Sequence, residues 1–334
     1  MAKKTRWGIL GTGSIAKKFA EGLQILPEAD LVAVGSRAAN TAERFARAFG
    51  IPHQHSSYDE LANDPDVDVV YIATPHPFHM ENTILCLKAG KAVLCEKPFA
   101  INAGQAQQMI NVARAEKLLL MEAMWTRFLP IIAKVRKWLK QELIGEVRIF
   151  RANFGFRADW IPKHRLFNPE LGGGALLDVG VYCVSMSSMV FGQPPEKITG
   201  IAHIGQTGVD EQSAMVLGYP KGQLAVLSCA VRTQTPQQAT IIGDKGIIRI
   251  HSPFWCATTA TASIEGKEDQ TVKMPHKGNG FEYEAQEVMQ CLRAGKLESD
   301  IMPLDETLAI MRTMDQIRTQ WGLKYPMERT DKAK

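Results

Sequence analysis

The chain has 334 residues, 45% of them hydrophobic and 22% charged, which is typical of a globular protein of about two domains and excludes a fibrous or disordered chain. Its 39 basic and 35 acidic residues leave a net charge of +4 with no long basic run, so composition does not favour a nucleic-acid partner. The six cysteines lack metal-ligand spacing and no 18 apolar residues run together, so we expect a cytoplasmic protein with reduced thiols and no membrane span.

Short apolar runs alternate with helical patterns in the first third of the chain. The predicted strands lie at 6–10, 30–35, 67–73, 92–95 and 118–121. The predicted helices lie at 14–26, 41–50, 77–89 and 102–116. Strands separated by helices of this length predict βαβ units, and therefore an α/β domain with a parallel, doubly wound sheet over residues 1–122.

The pattern changes near residue 123, where strands with period-two alternation begin to dominate. These strands are predicted at 146–155, 197–204, 212–218, 223–231, 239–242 and 246–251. The predicted helices lie at 131–143, 172–189, 281–294 and 304–322. Short connections such as YPKGQ and GDKG are typical of hairpins. Residues 123–334 are therefore predicted to form an α+β domain with an open, mainly antiparallel sheet, which we expect to bind substrate and to mediate dimerisation.

The turn after the first strand has the pattern G-x-G-x-x-A over residues 11–16. Gly11 permits the tight turn, Gly13 lets the backbone approach a pyrophosphate, and an alanine at the sixth position lets the helix pack closely on the strand. The free N–H groups at the start of the helix attract phosphate. We therefore predict that the first domain is a dinucleotide-binding Rossmann domain and that its cofactor contacts are made by Gly11, Thr12, Gly13, Ser14 and Ile15.

The end of the second strand indicates which dinucleotide is bound. A site for NAD usually has an acidic residue here, whereas this chain has Gly35, Ser36 and Arg37. A hydroxyl group and a guanidinium suit the 2′-phosphate of NADP. We predict NADP(H) as the cofactor, bound in part by Ser36 and Arg37, with a solvated loop cation as the alternative explanation of Arg37.

Polar residues also follow the third predicted strand. Thr74, Pro75 and His79 lie at or just beyond its carboxyl end, where open α/β sheets bind their ligands, and we predict that they contact the cofactor. A helix-start or packing role is the more frequent one for a single histidine in this position. His76 and His79 have no third ligand at recognisable spacing, so no metal site is predicted.

Two further segments carry candidate catalytic groups. Glu96 and Lys97, which we predict to contact the cofactor, end the next strand on the ligand side, and the proline after them fixes a turn that can direct the lysine inward. Asp178 and Tyr182 are spaced i, i+4, so on a helix they share one face, after a glycine triplet that gives a flexible, close-packing approach. A lysine ammonium beside a tyrosine lowers the pKa of its hydroxyl. From the spacing alone, a surface lysine and a buried core tyrosine are the better explanations.

Taken together, these motifs resemble the Gfo/Idh/MocA oxidoreductase family over nearly the whole chain. Within that family they are most similar to members that oxidise trans-dihydrodiols or, with NADP, D-xylose. The motifs that carry the resemblance are GILGTGSIA, YIATPHPFH, AVLCEKP, EAMWTRF and GGGALLDVGVYC.

The resemblance implies roles for particular residues. Tyr182 would be the general acid/base, Lys97 the lysine that assists it, and Asp178 an aspartate on the substrate side. Trp125, Arg127 and Phe128 would shape the substrate pocket. The resemblance also implies a cis peptide bond before Pro98 and a homodimer, or a dimer of dimers, formed through one face of the open sheet.

The expected activity is hydride transfer between NADP(H) and a pyranose sugar or a cyclic trans-diol. Two alternatives remain open, a reductase of keto-sugars of the 1,5-anhydrofructose type and a non-catalytic dinucleotide-binding sensor. Residues 157–171 are loop-like and are expected to lie over the pocket, so they leave the substrate undetermined. Trp160 and Arg165 within them are candidate contacts for which surface packing is the expected role.

Overall fold

The computed structural model describes residues 4–328, and the first part of this range contains six strands that form one parallel sheet. The strands are β1 (Thr5–Leu10), β2 (Ala29–Gly35), β3 (His53–His55), β4 (Val69–Ile72), β5 (Ala92–Glu96) and β6 (Leu120–Ala123). The helices between them are α1 (Ser14–Gln24), α2 (Ala39–Phe49), α3 (Tyr58–Ala62), α4 (His79–Lys88) and α5 (Ala103–Glu116). The spatial order is β3-β2-β1-β4-β5-β6, the arrangement of a doubly wound dinucleotide-binding sheet.

The predicted order of strands and helices in this part is confirmed, because buried parallel strands leave a strong sequence signal. Every residue of β4, β5 and β6 is buried, as continuous apolar runs require. Two elements were not predicted, β3 and α3. The three residues of β3 read His-Gln-His and the five of α3 are too few to show periodicity.

The later part of the described chain forms an eight-stranded sheet with helices. The helices that accompany its strands are α6 (Pro130–Lys140) and α7 (Val181–Phe191). The strands are β7 (Val147–Gly155), β8 (Lys197–Ile204), β9 (Asp210–Gly218), β10 (Leu224–Ala230), β11 (Ala239–Gly243), β12 (Gly246–Ile250), β13 (Thr259–Ile264) and β14 (Gln270–Lys273). The chain continues into α8 (Glu282–Arg293) and α9 (Leu304–Gln320).

This sheet is mainly antiparallel, as predicted, and has the order β14-β13-β12-β11-β7-β10-β9-β8. Both predicted hairpins are present, since β9 pairs with β10 and β11 pairs with β12 in antiparallel register. One pairing is parallel, between β7 and β10, because β7 lies between two meanders. Strands β13 and β14 were not predicted, and their threonine-rich and lysine-containing sequences carry little apolar alternation.

The chain divides into two compact units. The first contains the chain up to Ala100, Gly104–Trp125 and Lys277–Leu308, and the second contains Ile101–Ala103, Thr126–His276 and the chain from Ala309 onward. Helix α8, which the sequence assigned to the second domain, packs in the first unit, where Phe281 stacks on Trp125 with ring centroids 4.5 Å apart. That the chain folds as two domains that meet after residue 122 stays a prediction. Residues 1–3 and 329–334, at the predicted domain ends, lie outside the described residues.

One helical segment, Pro169–Phe191, is long and apolar enough to cross a membrane by length and composition alone. Within it, 78% of the most apolar window is buried inside the structure, which is typical of the core helix of a folded domain. The six cysteines all lie within the described residues and none is in a disulfide.

Candidate active site

The glycine turn of the first unit has the shape that its sequence predicts. Gly11 has a φ of +109°, and a Cβ at this position would lie 2.8 Å from the backbone oxygen of Ala73. Its N–H donates to the carbonyl of Gly35 at 2.9 Å. No other residue type fits this position, because the left-handed backbone and the close approach each exclude a side chain. The turn therefore holds the ends of β1 and β2 together at the start of α1.

The start of α1 is open to an anion. Gly13 precedes the helix and no side chain caps it, so the first-turn N–H groups are directed out of the helix end. A Cβ at Gly13 would meet no atom within 4 Å, and Ser14 is exposed. These features fit a pyrophosphate at the helix N-terminus. Contacts from Thr12 and Ile15 to a bound dinucleotide stay predictions.

The end of β2 carries the predicted 2′-phosphate residues. The Ser36 hydroxyl hydrogen-bonds Thr41 Oγ1 at 2.5 Å, and the exposed Arg37 guanidinium lies 5.6 Å from the centroid of the Phe78 ring. Arg37 also bonds the Tyr58 hydroxyl, and burial raises the pKa of Tyr58 although Arg37 opposes the shift. Within residues 4–328 no carboxylate pairs with Arg37. The guanidinium therefore keeps an uncompensated positive charge, as a phosphate site requires.

His79 connects two of the predicted cofactor-binding segments. It is fully buried, its Nε2 lies 2.8 Å from the carbonyl oxygen of Thr74, and its Nδ1 lies 2.9 Å from that of Pro98. Burial lowers the pKa of His79, so the neutral ring donates to one carbonyl at a time. The geometry gives His79 a positioning role, and the predicted direct contact with the cofactor stays a prediction, as does that of Pro75.

The Glu-Lys-Pro turn follows β5 directly. The peptide bond between Lys97 and Pro98 is cis, as the resemblance implies. Glu96 is buried, accepts the Tyr71 hydroxyl hydrogen bond, and accepts the Lys97 backbone N–H at 3.1 Å. The lysine side chain itself is only partly buried. Glu96 therefore fixes the backbone from which the Lys97 ammonium projects.

Two further buried carboxylates surround this turn, and the sequence analysis identified neither. Glu122 is fully buried and accepts the Phe99 N–H at 3.2 Å. Glu284, on α8, is also fully buried and neither of its carboxylate oxygens has a hydrogen-bond partner. Burial, with the negative charges of Glu96 and Glu122, raises the pKa of Glu284 well above its usual range. Only the folded chain brings the three glutamates together, so sequence spacing carried no signal for them.

In the second unit, Asp178 and Tyr182 lie at a helix irregularity. Asp178 is in a π-helical turn, Leu176–Gly180, that leads directly into α7, and Tyr182 is in the first turn of α7. The i, i+4 spacing predicts a shared face for Asp178 and Tyr182 only on a regular α-helix. A π turn changes the angle between these two positions. Single π turns of this kind are frequent at functional sites.

Arg165 is bound to Asp178, which corrects the surface-packing role expected for it. Its Nη1 donates to Asp178 Oδ1 at 2.8 Å, and the aspartate side chain is 6% exposed against 49% for the arginine. A guanidinium supplies the compensating charge that a buried carboxylate needs. Trp160 does pack, with its ring centroid 4.8 Å from that of Phe167.

The glycine run before Asp178 was predicted to be both flexible and closely packed. In the structure the run is closely packed. A Cβ at Gly173 would lie 2.8 Å from the backbone oxygen of Arg165, and one at Gly174 would lie 2.2 Å from Asp210 Oδ1. Asp210 accepts the Leu176 N–H at 2.7 Å, and Tyr325 donates to the Gly173 carbonyl at 2.7 Å. These contacts hold the run in one conformation and so fix the start of the helix that carries the candidate residues.

Tyr182 packs on an aromatic cluster that the sequence analysis missed. Its ring centroid is 5.3 Å from that of Phe154, which stacks on Trp255 at 5.1 Å with an interplanar angle of 1°. Trp255 Nε1 donates to Gln237 Oε1 at 3.0 Å. The Tyr182 side chain is 6% exposed. The cluster fixes the plane of the tyrosine ring and supplies apolar surface beside it.

The three predicted pocket residues after β6 are all buried. Trp125 stacks on Phe281, Arg127 is 1% exposed, and Phe128 is 7% exposed. The backbone oxygen of Arg127 accepts a hydrogen bond from Arg136 Nη1 at 2.6 Å. Packing accounts for these observations, and their contact with substrate stays a prediction.

An uncapped glycine turn at the head of a parallel sheet, with ionisable groups at neighbouring strand ends, is typical of nicotinamide-dependent oxidoreductases. The chain belongs to the Gfo/Idh/MocA oxidoreductase family. Residues 5–124 match the family's oxidoreductase domain with an NAD-binding Rossmann fold, and residues 132–249 match its C-terminal domain. The predicted family, fold class and enzymatic nature are confirmed.

Named relatives share almost the full length of the chain. Trans-1,2-dihydrobenzene-1,2-diol dehydrogenase from Xenopus tropicalis is 42% identical over 96% of this chain and 99% of its own. The enzyme of that name from Homo sapiens is 40% identical over 97% of this chain and 99% of its own. Among solved structures, a 3-ketoreductase from Actinomadura kijaniata in complex with NADP and TDP-benzene is 26% identical, covers 95% of this chain and 98% of its own, and has a TM-score of 0.85.

Proposed function

We propose that this protein is an NADP(H)-dependent dehydrogenase that acts on a CH–OH group of a cyclic trans-diol or a pyranose sugar. The observation that carries the proposal is the full-length similarity to trans-1,2-dihydrobenzene-1,2-diol dehydrogenases at about 40% identity. The proposal is supported by an uncapped helix start that fits a phosphate in the first unit and by a buried, arginine-paired Asp178 close in sequence to Tyr182 in the second.

The proposed cofactor is NADP rather than NAD. The similar 3-ketoreductase was solved with NADP, and in this chain the exposed Arg37 cation follows β2 where an acidic residue would favour NAD. Ser36 and Arg37 would hold the 2′-phosphate, and the turn over residues 11–15 would hold the pyrophosphate. When bound, NADP(H) supplies the hydride acceptor or donor of the reaction.

Replacing Arg37 by glutamine is expected to raise the dissociation constant for NADPH by about 10- to 100-fold, because a charge-assisted hydrogen bond contributes about 1.5–3 kcal/mol. The dissociation constant for NADH should stay the same, since NADH lacks the 2′-phosphate. Both constants can be measured by the quenching of tryptophan fluorescence. Arg44→Gln, at an exposed arginine of α2, is the matched control. An equal loss of NADH and NADPH binding in Arg37→Gln would contradict the assignment.

The chain's own residues would divide the chemistry as follows. In oxidation, Tyr182 as tyrosinate accepts the proton of the substrate hydroxyl, and in reduction the tyrosine returns it. Lys97 would assist this proton transfer by supplying positive charge for the negative charge that develops on oxygen. Fixed charge of this kind is usually the largest contribution to rate enhancement. Asp178, held by Arg165, would accept a hydrogen bond from a neighbouring hydroxyl of the substrate.

The direct test follows NADPH absorbance while the purified protein is given NADP with a trans-dihydrodiol, D-xylose or D-glucose. The expected result is NADPH formation with the dihydrodiol or a sugar when NADP is supplied, and no NADH formation when NAD replaces NADP. The absence of turnover in either direction, with keto-sugars included as substrates for reduction, would overturn the proposal. Similarity to the 3-ketoreductase makes keto-sugar reduction the second candidate. The named relatives favour an enzyme over a non-catalytic sensor.

We also propose a homodimer formed through the open sheet of the second unit. One face of this sheet exposes large apolar side chains, among them Ile201 at 79%, Val226 at 42% and Val216 at 36%. Val216 and Val226 are paired in the β9–β10 register, so they form one surface. A contiguous apolar patch on a sheet face is typical of a protein–protein interface.

Val226→Asp is expected to convert the dimer to a monomer, because it places a charge in the apolar centre of the proposed interface. Sedimentation velocity would measure the change. Leu297→Asp, at an equally exposed leucine of the first unit, is the matched control and should leave the dimer intact. A wild-type protein that is monomeric at micromolar concentration would contradict the proposal.

A further inference from the structure

Strand β3 and the loop after α3 bring three metal-ligating side chains together in the first unit. His53 and His55 alternate along β3, so their rings lie on the same side of the strand. His53 Nδ1 lies 2.7 Å from Asp64 Oδ2, and His55 Nε2 lies 2.9 Å from the same oxygen. The potential ligand atoms all lie within 4.8 Å of one another. Nothing in the proposed oxidoreductase chemistry uses these residues.

The aspartate of this cluster is held in place. Its side chain is 3% exposed, and Oδ1 accepts the Asp66 N–H at 2.8 Å, which leaves Oδ2 directed at the histidines. A metal ligand that is oriented by a second hydrogen bond is the usual arrangement in metalloproteins.

The charges around the cluster are predominantly negative. Asp66 Oδ2 lies 3.9 Å from His53 Nε2, and Arg6 forms ion pairs with both Asp66 and Asp68. The Lys91 ammonium donates to the backbone oxygen of Asp64 at 2.6 Å. The three aspartates, Asp64, Asp66 and Asp68, outnumber the two cations, Arg6 and Lys91. This balance favours a bound cation over a bound anion.

We propose that His53, His55 and Asp64 form a binding site for a divalent transition-metal ion of the zinc type. Two imidazole nitrogens and one carboxylate oxygen are the donor set that such ions prefer, and three protein ligands leave a fourth position for water. In the metal-free site, Nδ1 of His53 and Nε2 of His55 donate to Asp64 Oδ2. On binding, each ring would move its proton to its other nitrogen by exchange with solvent, and the freed lone pairs would bind the metal.

The site would join β3 to the loop after α3 and so fix one edge of the parallel sheet. The backbone oxygen of His55 accepts the N–H of Ser36 at 3.2 Å, so the metal would also stabilise the backbone at the end of β2. A structural ion at the sheet edge, separate from the Glu-Lys-Pro turn, is the role that this placement supports.

Calorimetric titration of the full-length, metal-stripped protein with Zn²⁺ at pH 7.5 tests the proposal. One ion per chain is expected for the wild type, with binding at least tenfold weaker in His53→Gln, His55→Gln and Asp64→Asn. His203→Gln, at an exposed histidine of β8, is the control for adventitious surface binding and should match the wild type. Because Asp64 also holds the Asp66 backbone, the histidine variants keep the test valid if Asp64→Asn misfolds.

A second measurement separates a specific site from loose association. Co²⁺ should give intense visible absorption bands of a four-coordinate ion in the wild type and in His203→Gln, and these bands should be lost in His53→Gln. Wild-type affinity no tighter than that of a His53→Gln/His55→Gln double variant would overturn the proposal.

Discussion

Replacing Tyr182 by phenylalanine is expected to lower kcat by about 10²- to 10⁴-fold, or about 3–5 kcal/mol of transition-state stabilisation. The dissociation constant for NADPH should stay at the wild-type value. The substitution removes the hydroxyl that is proposed to carry the proton, while the ring keeps its contact with Phe154. Steady-state rates at saturating NADP and substrate, together with a separate NADPH titration, measure the two quantities.

A buried tyrosine of the same unit provides the matched control. Tyr219 is 5% exposed against 6% for Tyr182, and its hydroxyl hydrogen-bonds Ser187 Oγ at 2.6 Å. Burial raises the pKa of Tyr219 to about 12, so it stays neutral in the range where the enzyme would act. Tyr219→Phe should lower the free energy of unfolding by about 0.5–1.5 kcal/mol and leave kcat unchanged.

The two substitutions together distinguish catalysis from packing. If Tyr182→Phe turns over at the wild-type rate, Tyr182 is not the general acid/base. If both variants lose kcat and stability to the same extent, the tyrosine hydroxyls serve the fold alone. A loss of kcat in Tyr182→Phe with unchanged unfolding supports the proposed mechanism.

The first unit was predictable because its signals are local. A parallel strand buried on both faces is a continuous apolar run, and the turn after β1 has to be built from glycines, since Gly11 adopts a left-handed φ against the Ala73 carbonyl. The candidate residues at strand ends follow from the same rule, because carboxyl ends of parallel strands meet at one edge. In this sense the glycine turn and the Glu-Lys-Pro turn could be located from sequence.

The partners of those residues could not be located in this way. Arg165 binds Asp178 across a loop. Asp210 accepts the N–H of Leu176, at the start of the helical segment that carries Asp178, from 34 positions beyond Leu176. Glu284 comes from a helix that was predicted to lie in the other domain. Spacing carries no information about such contacts. They set the surroundings of each carboxylate, so these surroundings become visible only in the folded chain.

The second large expected effect is the change that Glu284 makes in how the free energy of unfolding depends on pH. Its pKa is raised in the folded state, so the protein binds a proton at Glu284 that the unfolded chain has released. The contribution to stability is fully present below about pH 4.5, the pKa of an unfolded glutamate, and is lost as pH rises toward the folded pKa. The loss has a slope of about 1.4 kcal/mol per pH unit.

Glu284→Gln removes this slope, because an amide keeps the shape of the protonated acid and does not ionise. The variant should match the wild type near pH 4.5 and become progressively more stable than it toward pH 8. Urea unfolding at half-unit pH intervals measures the difference between the two. A difference that does not change with pH would show that Glu284 has an ordinary pKa in the folded state.

Glu282, two positions earlier on α8, is the control because it is also buried, but its carboxylate oxygens have hydrogen-bond donors and those of Glu284 have none. Its two carboxylate oxygens accept the Gly278 N–H at 2.8 Å and the Gly280 N–H at 2.7 Å. Glu282→Gln replaces one of these acceptors with a donor and should destabilise the protein by about 1–3 kcal/mol at neutral pH. Opposite signs for the same substitution at two buried glutamates of one helix would show that hydrogen-bond donors, rather than burial alone, decide whether an amide can replace the carboxylate.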